Sequence, residues 1–442
     1  MNVIEETSNW IRNSITLKLA VIGVLVLVLL IPASMIQNLI KERSENHKKV
    51  VNEVTDKWGK SQVIAGPFLI VPYKVVRTVN NTVQESKSYA YFLPEKLNIT
   101  GRINPEVRNR NIFKVMLYNS NLELSGFFEK PDFEILNISG ENILWDEASI
   151  MVGIPDMRGI RRSVEIMWNN QKYTGNPGVV NRDIITSGIN SRVNLNVDTA
   201  NFNFSLNLDI NGSESLSLLP LGKETHAKIE SDWSSPSFSG AFLPEKRNIT
   251  ANGFIAEWNI LQLNRNYPQQ WTSNNNQSVM ESKFGVDLIF PVDHYQKSTR
   301  SAKYAVMFLF LTFLTFFINE ILNKSKIHPV QYLLIGLALI IFYTLLVSLS
   351  EYIGFSIAYI IASFLTVTLI TVYSLGVLSK KGSLIVGIFL VLLYGFLFVL
   401  LQLEDYSLLI GSFGLFFILA CVMRVSRKIN WYATAGGKAP SA

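Results

Sequence analysis

The chain has 442 residues, a net charge of +6 and a hydrophobic content of 48%, with an isoelectric point near 9.1. The basic residues form no Lys/Arg stripe, which disfavours a nucleic-acid partner, and the apolar residues gather in one early segment and a C-terminal block, which excludes an ordinary soluble domain. The single cysteine, Cys421, lies in the last apolar run, so the long polar region has no disulfide and no thiol nucleophile and must hold by packing.

Residues 1–18 are polar, with Trp10 where an interfacial aromatic often sits, and read as a cytoplasmic N-terminus. Residues 19–40 carry no charge and no small-residue cleavage pattern before Lys41, which predicts an uncleaved membrane anchor. Val50, Val51, Val54 and Trp58 then recur at helical spacing among charges, so the helix is expected to continue until Gly59.

From residue 61 to about 297 the pattern changes to period two. Val193, Leu195 and Val197, then Phe202, Phe204, Leu206, Leu208 and Ile210, alternate with polar residues and predict a half-buried hairpin turning at 198–201. Turn clusters such as Asn119-Ser120-Asn121, Lys130-Pro131-Asp132 and Asn211-Gly212 separate further short strands. The expectation is a large all-β, antiparallel domain within 41–300.

Residues 92–100 reappear at 242–250 as Phe-Leu-Pro-Glu-Lys-x-Asn-Ile-Thr, eight identities in nine. Duplication of a β subdomain is the natural inference. The repeat holds little chemistry, and its Leu-Pro-Glu reads as a strand entry, with proline at a first or edge position.

The C-terminal block predicts five spans, near 304–322, 329–348, 352–378, 383–403 and 406–423, followed by a tail at 424–442. Lys324 and Lys326 fall in one connection, Lys380 and Lys381 in another, and Arg424, Arg427 and Lys428 follow the last span, whereas the alternate connections carry Glu351, Glu404 and Asp405. The positive-inside rule then puts both termini in the cytoplasm and the β domain outside. Acids before the fourth and sixth spans also suit helix dipoles, as do Lys380 and Lys381 after the fourth.

Glu320 is the only carboxylate within a predicted span, which marks it as a proton-carrying or substrate-pairing candidate. Its shallow position equally suits snorkelling or a pair with Lys324, one turn on. His328 beside Pro329 marks a helix start, and no metal partners are spaced near it. His47, His226 and His294 are scattered. Asp146, Asp156, Asp232, Asp287 and Asp293 include possible acid/base pairs, and residues 153–160 read as a shaped turn in which Asp156 and Arg158 are partners. Glu351 and Asp405 remain as the acids of the outer connections. No phosphate-binding glycine loop, nucleophile elbow or His-Glu-x-x-His helix is present, so no cofactor is expected.

Several segments carry a resemblance: Ile31-Pro32 followed by Lys41-Glu42-Arg43; Gly66-Pro67; Tyr91-Phe92-Leu93-Pro94-Glu95; Ile154-Pro155-Asp156-Met157-Arg158-Gly159-Ile160; and Phe242-Leu243-Pro244. In the membrane block the runs 327–338 (IHPVQYLLIGLA), 348–355 (SLSEYIGF) and 400–406 (LLQLEDY) add to it, with Trp431-Tyr432 closing the helical region. With these the chain resembles the CreD family of bacterial inner membrane proteins, collinearly up to a divergent tail at 433–442. The resemblance implies an inner-membrane location, a link to cell-envelope integrity and the Cre two-component system, and altered tolerance of colicins and β-lactams. It supplies no catalytic residues.

The expected fold is a multi-pass α-helical membrane protein with a large, internally duplicated extracytoplasmic β domain. The expected function is non-enzymatic envelope support, with the lipid bilayer and envelope components or membrane proteins as partners. A transporter or lipid-handling protein is the alternative, drawn from Glu320 with Tyr343, Thr344 and Ser348 at compatible helical spacing. An envelope-modifying enzyme would need convergent acids or a histidine constellation in the β domain.

Overall fold

The computed structural model describes residues 15–79, 82–196, 198–273, 275, 277–288, 290, 294–323, 325–403 and 406–427. The chain divides into two compact units, Met1–Lys48 with Val292–Ala442, and Lys49–Pro291.

Helix α1 (Ile15–Trp58) runs 44 residues without a break, with Pro32 inside it. At 1.5 Å per residue that is about 66 Å, twice the roughly 30 Å hydrocarbon core, so its apolar first half suffices to span and its charged second half projects. Gly59 ends it at φ +148°, and its N–H donates to the Thr55 carbonyl at 2.8 Å. A Cβ here would lie 2.6 Å from the Asn211 carbonyl oxygen, so the stop requires glycine.

Within the second unit lie β1 (Gln62–Val79), β2 (Thr82–Phe92), β3 (Lys96–Arg110), β4 (Phe113–Glu129), β5 (Ser149–Gly153), β6 (Glu165–Trp168), β7 (Gln171–Thr174), β8 (Asn176–Pro177) and β9 (Gly188–Arg192). They are followed by β10 (Asn201–Ser213), β11 (Ser215–Leu218), β12 (Glu224–Ser231), β13 (Pro236–Gly240), β14 (Lys246–Thr250), β15 (Gly253–Leu261), β16 (Gln270–Thr272) and β17 (Phe284–Leu288). Sheet A runs β13-β17-β11-β1-β5-β9-β8, with β2 joining β1 to β16, and sheet B runs β14-β15-β12-β3-β4-β10-β6-β7. Their facing side chains form one core.

Period two produces this core directly. Phe202, Phe204, Leu206, Leu208 and Ile210 of β10 all point inward, and Trp168 stacks on Phe202 with centroids 5.4 Å apart. Burying each such side chain is worth about 1.5–3 kcal/mol.

Two expectations need correction. The 193–210 stretch is not a hairpin: Val193 and Leu195 follow β9 of sheet A, whereas β10 pairs with β4 and β6 in sheet B. Alternation fixes which side chains are buried but not which strand is the partner, so a chain crossing between sheets can imitate a hairpin. Val197 lies outside the described residues. The domain is also not purely antiparallel, because β1 runs parallel to β11 and β3 parallel to β12.

Both copies of the repeat leave sheet A and enter sheet B, from β2 to β3 and from β13 to β14. Their surroundings differ. Leu93 is 5% exposed and Leu243 70%, and Glu95 is paired with Lys223 at 2.9 Å.

The first unit contains α2 (His294–Lys303), α3 (Ala305–Leu322), α4 (Pro329–Ile353), α5 (Phe355–Leu375), α6 (Lys380–Gln402) and α7 (Ser407–Ser426). Among the described residues, α1 and the helices α3 to α7 make six that are long and apolar enough to cross a membrane. Helix α2 falls in a stretch expected to be β. It is a polar amphipathic helix whose Tyr295, Ser298, Ser301 and Ala302 face inward at helical spacing, but two of these four are serines, so a count of apolar residues alone misses the face. Helix α1 packs on α4 at Gly336, where a Cβ would come within 2.2 Å of Leu29 Cδ1. Phe308, Phe342, Tyr359 and Tyr394 interlock edge to face at the centre, with adjacent centroids as close as 4.7 Å.

Glu351 lies inside α4 rather than in a connection, and Gly354 at φ +80° makes the whole turn into α5. Lys380 and Lys381 form the first turn of α6, behind the Ser379 cap. A helix N-terminus is electrostatically unfavourable for cations, so these lysines oppose the dipole of α6 rather than complementing that of α5.

Candidate functional site

The residues with the strongest case come together where α1 begins, α3 ends and α4 starts. Glu320 sits in the last turn of α3, 3% exposed. A carboxylate this dry persists only if its oxygens are satisfied. Oε1 accepts from Lys18 Nζ at 2.6 Å and from the Ile327 backbone N–H at 3.3 Å, and Oε2 accepts from the Tyr332 hydroxyl at 3.1 Å.

Among the described residues its cation is Lys18, supplied by α1. Lys324, the neighbour expected from helical spacing, lies outside the described residues. Lys18 is one-third exposed, so its apolar stem follows α1 while the ammonium reaches the buried acid.

His328 is the N-cap of α4. Its Nδ1 accepts the Val330 N–H at 3.3 Å, and the Gln331 side chain accepts the His328 N–H at 2.9 Å, which closes a reciprocal cap with Pro329 at the first helical position. With Nδ1 accepting, the ring's donor is Nε2–H. A cavity of about 580 Å³ opens beside these groups, lined by Leu17, Lys18, Val21 and Ile22 on one wall and by Glu320, Lys326, His328 and Tyr332 on the other.

Asn319 donates to the Gly382 carbonyl at 3.2 Å, so Lys380 and Lys381 share this end of the bundle with Lys18 and Lys326. At the opposite end Glu351 accepts from the Tyr295 hydroxyl at 2.9 Å, and Lys297 donates to Gln402 at 3.1 Å, so α2 is tied across the ends of α4 and α6. Asp405 lies outside the described residues. Tyr343 is buried, but Thr344 and Ser348 are exposed on α4, and Tyr343 is eleven residues, about 16 Å, along the helix from Tyr332. These hydroxyls and Glu320 do not line one path.

Asp156 and Arg158 are partners, as expected, and are fully engaged. Asp156 accepts from Arg158 Nε at 2.8 Å and Nη2 at 2.9 Å and from the Lys60 N–H at 3.0 Å. Arg158 Nη1 also donates to the Asp56 carbonyl in the last turn of α1. Burial alone would raise the Asp156 carboxyl pKa, but these donors outweigh it and hold it below the usual carboxylate range. The pair clamps the helix terminus to the strand entry.

The β domain carries a second concavity, of about 550 Å³, on the outer face of sheet B. Alternation places polar residues on that face, and the register aligns Asn259, His226, Asn98, Ser125 and Ser205 in one row across five strands. The adjacent row holds Glu257, Lys228, Thr100, Glu123 and Asn207, in which Lys228 and Glu257 pair at 3.4 Å. Glu245 and Lys246, from the exposed copy of the repeat, close one side. Among the described residues no three His, Cys, Asp or Glu side chains are grouped to hold a metal ion.

Lys18, Lys326 and Tyr332 were not candidates in the sequence reading. Tyr332 lies in the run 327–338 that carries the family resemblance, and Lys18 is the last charge before the anchor, but neither signal pairs them with Glu320, which is 12 residues from Tyr332 and 302 from Lys18.

The family described as Inner membrane protein CreD matches residues 14–432. The Inner membrane protein CreD of Escherichia coli (strain K12) is 34% identical over 420 residues, covering 92% of each chain; its name describes a membrane protein and no catalytic activity. The family match runs from before α1 to beyond the last helix, and the chain belongs to the CreD family of inner membrane proteins.

Proposed function

We propose that this protein supports the integrity of the bacterial envelope and its tolerance of envelope-directed agents. It acts without catalysis, through a β domain held on the periplasmic side of the inner membrane. The observation that carries this reading is the outer face of sheet B, where a row of amide, hydroxyl and imidazole groups lies beside a largely charged row about a cleft. Such a surface suits ligands rich in hydroxyl and amide groups, as envelope polymers and protein partners are. Its acid–base pairs, Lys228 with Glu257 and Arg102 with Glu230 and Asp232, are neutralised internally.

The sidedness follows from charge. Lys18, Lys326, Lys380 and Lys381 gather at one end of the bundle, with Arg424 and Arg427 closing the last helix. The positive-inside rule assigns that end and both termini to the cytoplasm.

Deleting the gene and challenging the cells with detergent and cell-wall antibiotics tests the reading. Increased sensitivity to at least one class is expected, and wild-type sensitivity under every condition would contradict it.

A further inference from the structure

We infer that the cavity beside Glu320 is a binding site for an anionic phospholipid of the surrounding bilayer. The headgroup phosphate lies against Lys326 and His328, and an acyl chain lies along Leu17, Val21 and Ile22. The argument starts from charge. Lys18 and Glu320 form an internal ion pair at 2.6 Å and cancel, so Lys326 gives the cavity a net positive charge. His328 adds a donor, because its Nδ1 is occupied in the cap and Nε2 carries the proton. Phosphate is the natural partner for a lysine point charge beside an N–H donor at the start of a helix.

The second part of the argument is the wall. Leu17, Val21 and Ile22 lie on one face of α1 at helical spacing, so the cavity is cationic on one side and apolar on the other. A free inorganic anion leaves the apolar wall unused, and a sterol or hydrocarbon leaves the cations unused. An anionic amphiphile satisfies both. A volume of about 580 Å³ falls within the roughly 300–1,000 Å³ of small-ligand sites, and basic pockets between helices on the cytoplasmic side are where lipid headgroups are recognised. Glu320 is a positioning residue here: by fixing Lys18 and the Ile327 N–H it holds the α3–α4 connection, and with it Lys326 and His328, in place. The inference does not depend on the envelope role, since a lipid can bind here whatever the β domain contacts.

The test uses the full chain, purified in a neutral detergent and stripped of lipid. Phosphatidylglycerol, phosphatidylcholine and inorganic phosphate are titrated separately while the thermal unfolding midpoint is followed, and native mass spectrometry counts the bound lipid. Phosphatidylglycerol is expected to raise the midpoint and to be retained, phosphatidylcholine to do so at least about tenfold more weakly, and phosphate alone to do neither. Lys326→Glu is expected to abolish the difference between the two lipids, and Lys326→Arg to keep it. Val21→Trp, which fills the apolar side, is expected to weaken both lipids and gives an independent reading should Lys326→Glu fail to fold. Equal effects of the two lipids on the unaltered protein would overturn the inference. So would undiminished preference in Lys326→Glu, or a phosphate effect matching that of the lipid, which would mark a simple anion site.

Discussion

Removing Lys18 should destabilise the membrane unit more than neutralising Glu320, although both changes break the same ion pair. Lys18→Met leaves a carboxylate that is 3% exposed with, among the described residues, only the Tyr332 hydroxyl and the Ile327 N–H as donors. Breaking a buried pair this way typically costs about 3–5 kcal/mol. Lys18 is one-third exposed, and solvent reaching that side reduces the figure to about 2–3 kcal/mol. Glu320→Gln keeps an acceptor for one donor and releases an ammonium that can snorkel to the interface, so about 1 kcal/mol is expected. The double variant Lys18→Met/Glu320→Gln removes both charges and should recover most of the loss, which makes the two changes strongly non-additive. Thermal unfolding in nanodiscs, followed through helix ellipticity, ranks the four proteins. Equal destabilisation by the two single changes, or simple additivity in the double, would refute the account of Glu320 as a buried charge neutralised by Lys18.

Asp156 should give the β domain part of its acid sensitivity. Its folded pKa is held below the ordinary value of about 3.9, so its contribution is fully present above that pH and is lost as pH falls through the folded value. Asp156→Asn is therefore expected to lower stability at neutral pH by about 1–2 kcal/mol and to lessen the loss below about pH 4, read by tryptophan near-ultraviolet dichroism; parallel acid limbs would contradict this. Arg265 is 8% exposed, donates to the carbonyls of Tyr267 at 2.7 Å and Leu221 at 3.3 Å and stacks on the Tyr267 ring. A lysine cannot reproduce that fork, so Arg265→Lys should cost about 2–3 kcal/mol in the same assay. In a Cys421→Ser background, Asn207→Cys on sheet B should react with an impermeant maleimide in intact spheroplasts, and Lys381→Cys only after permeabilisation; the reverse would invert the topology.

The membrane block and the β-rich character were legible because each rests on a local period: some twenty apolar residues for a span, and alternation for a strand with one wet face. What escaped was non-local. Alternation across 193–210 could not reveal that β9 and β10 belong to different sheets, and the short helix α2 carries its helical period largely on serines, which an apolar pattern does not register. Glu320 was singled out by its depth, yet spacing arguments look for partners three or four residues away, and its cation comes from α1. The Asp156–Arg158 pair was legible because it lies within one turn. The outer row of Asn98, His226 and Asn259 was not, because its residues come from three strands far apart in sequence. The two copies of the repeat show the same limit: identical residues make identical sheet crossings, but only tertiary packing buries Leu93 and exposes Leu243.

The central claim is that the outer face of sheet B is where this protein acts. A deletion strain complemented with Asn98→Ala/His226→Ala/Asn259→Ala tests it, since His226 and Asn259 are exposed and Asn98 is half-buried on the outer face, so these changes leave the core intact and should each alter stability by no more than about 0.5 kcal/mol. Normal amounts of the variant in the inner membrane with no restoration of detergent and antibiotic tolerance is the predicted result. Full restoration at the same abundance would contradict it.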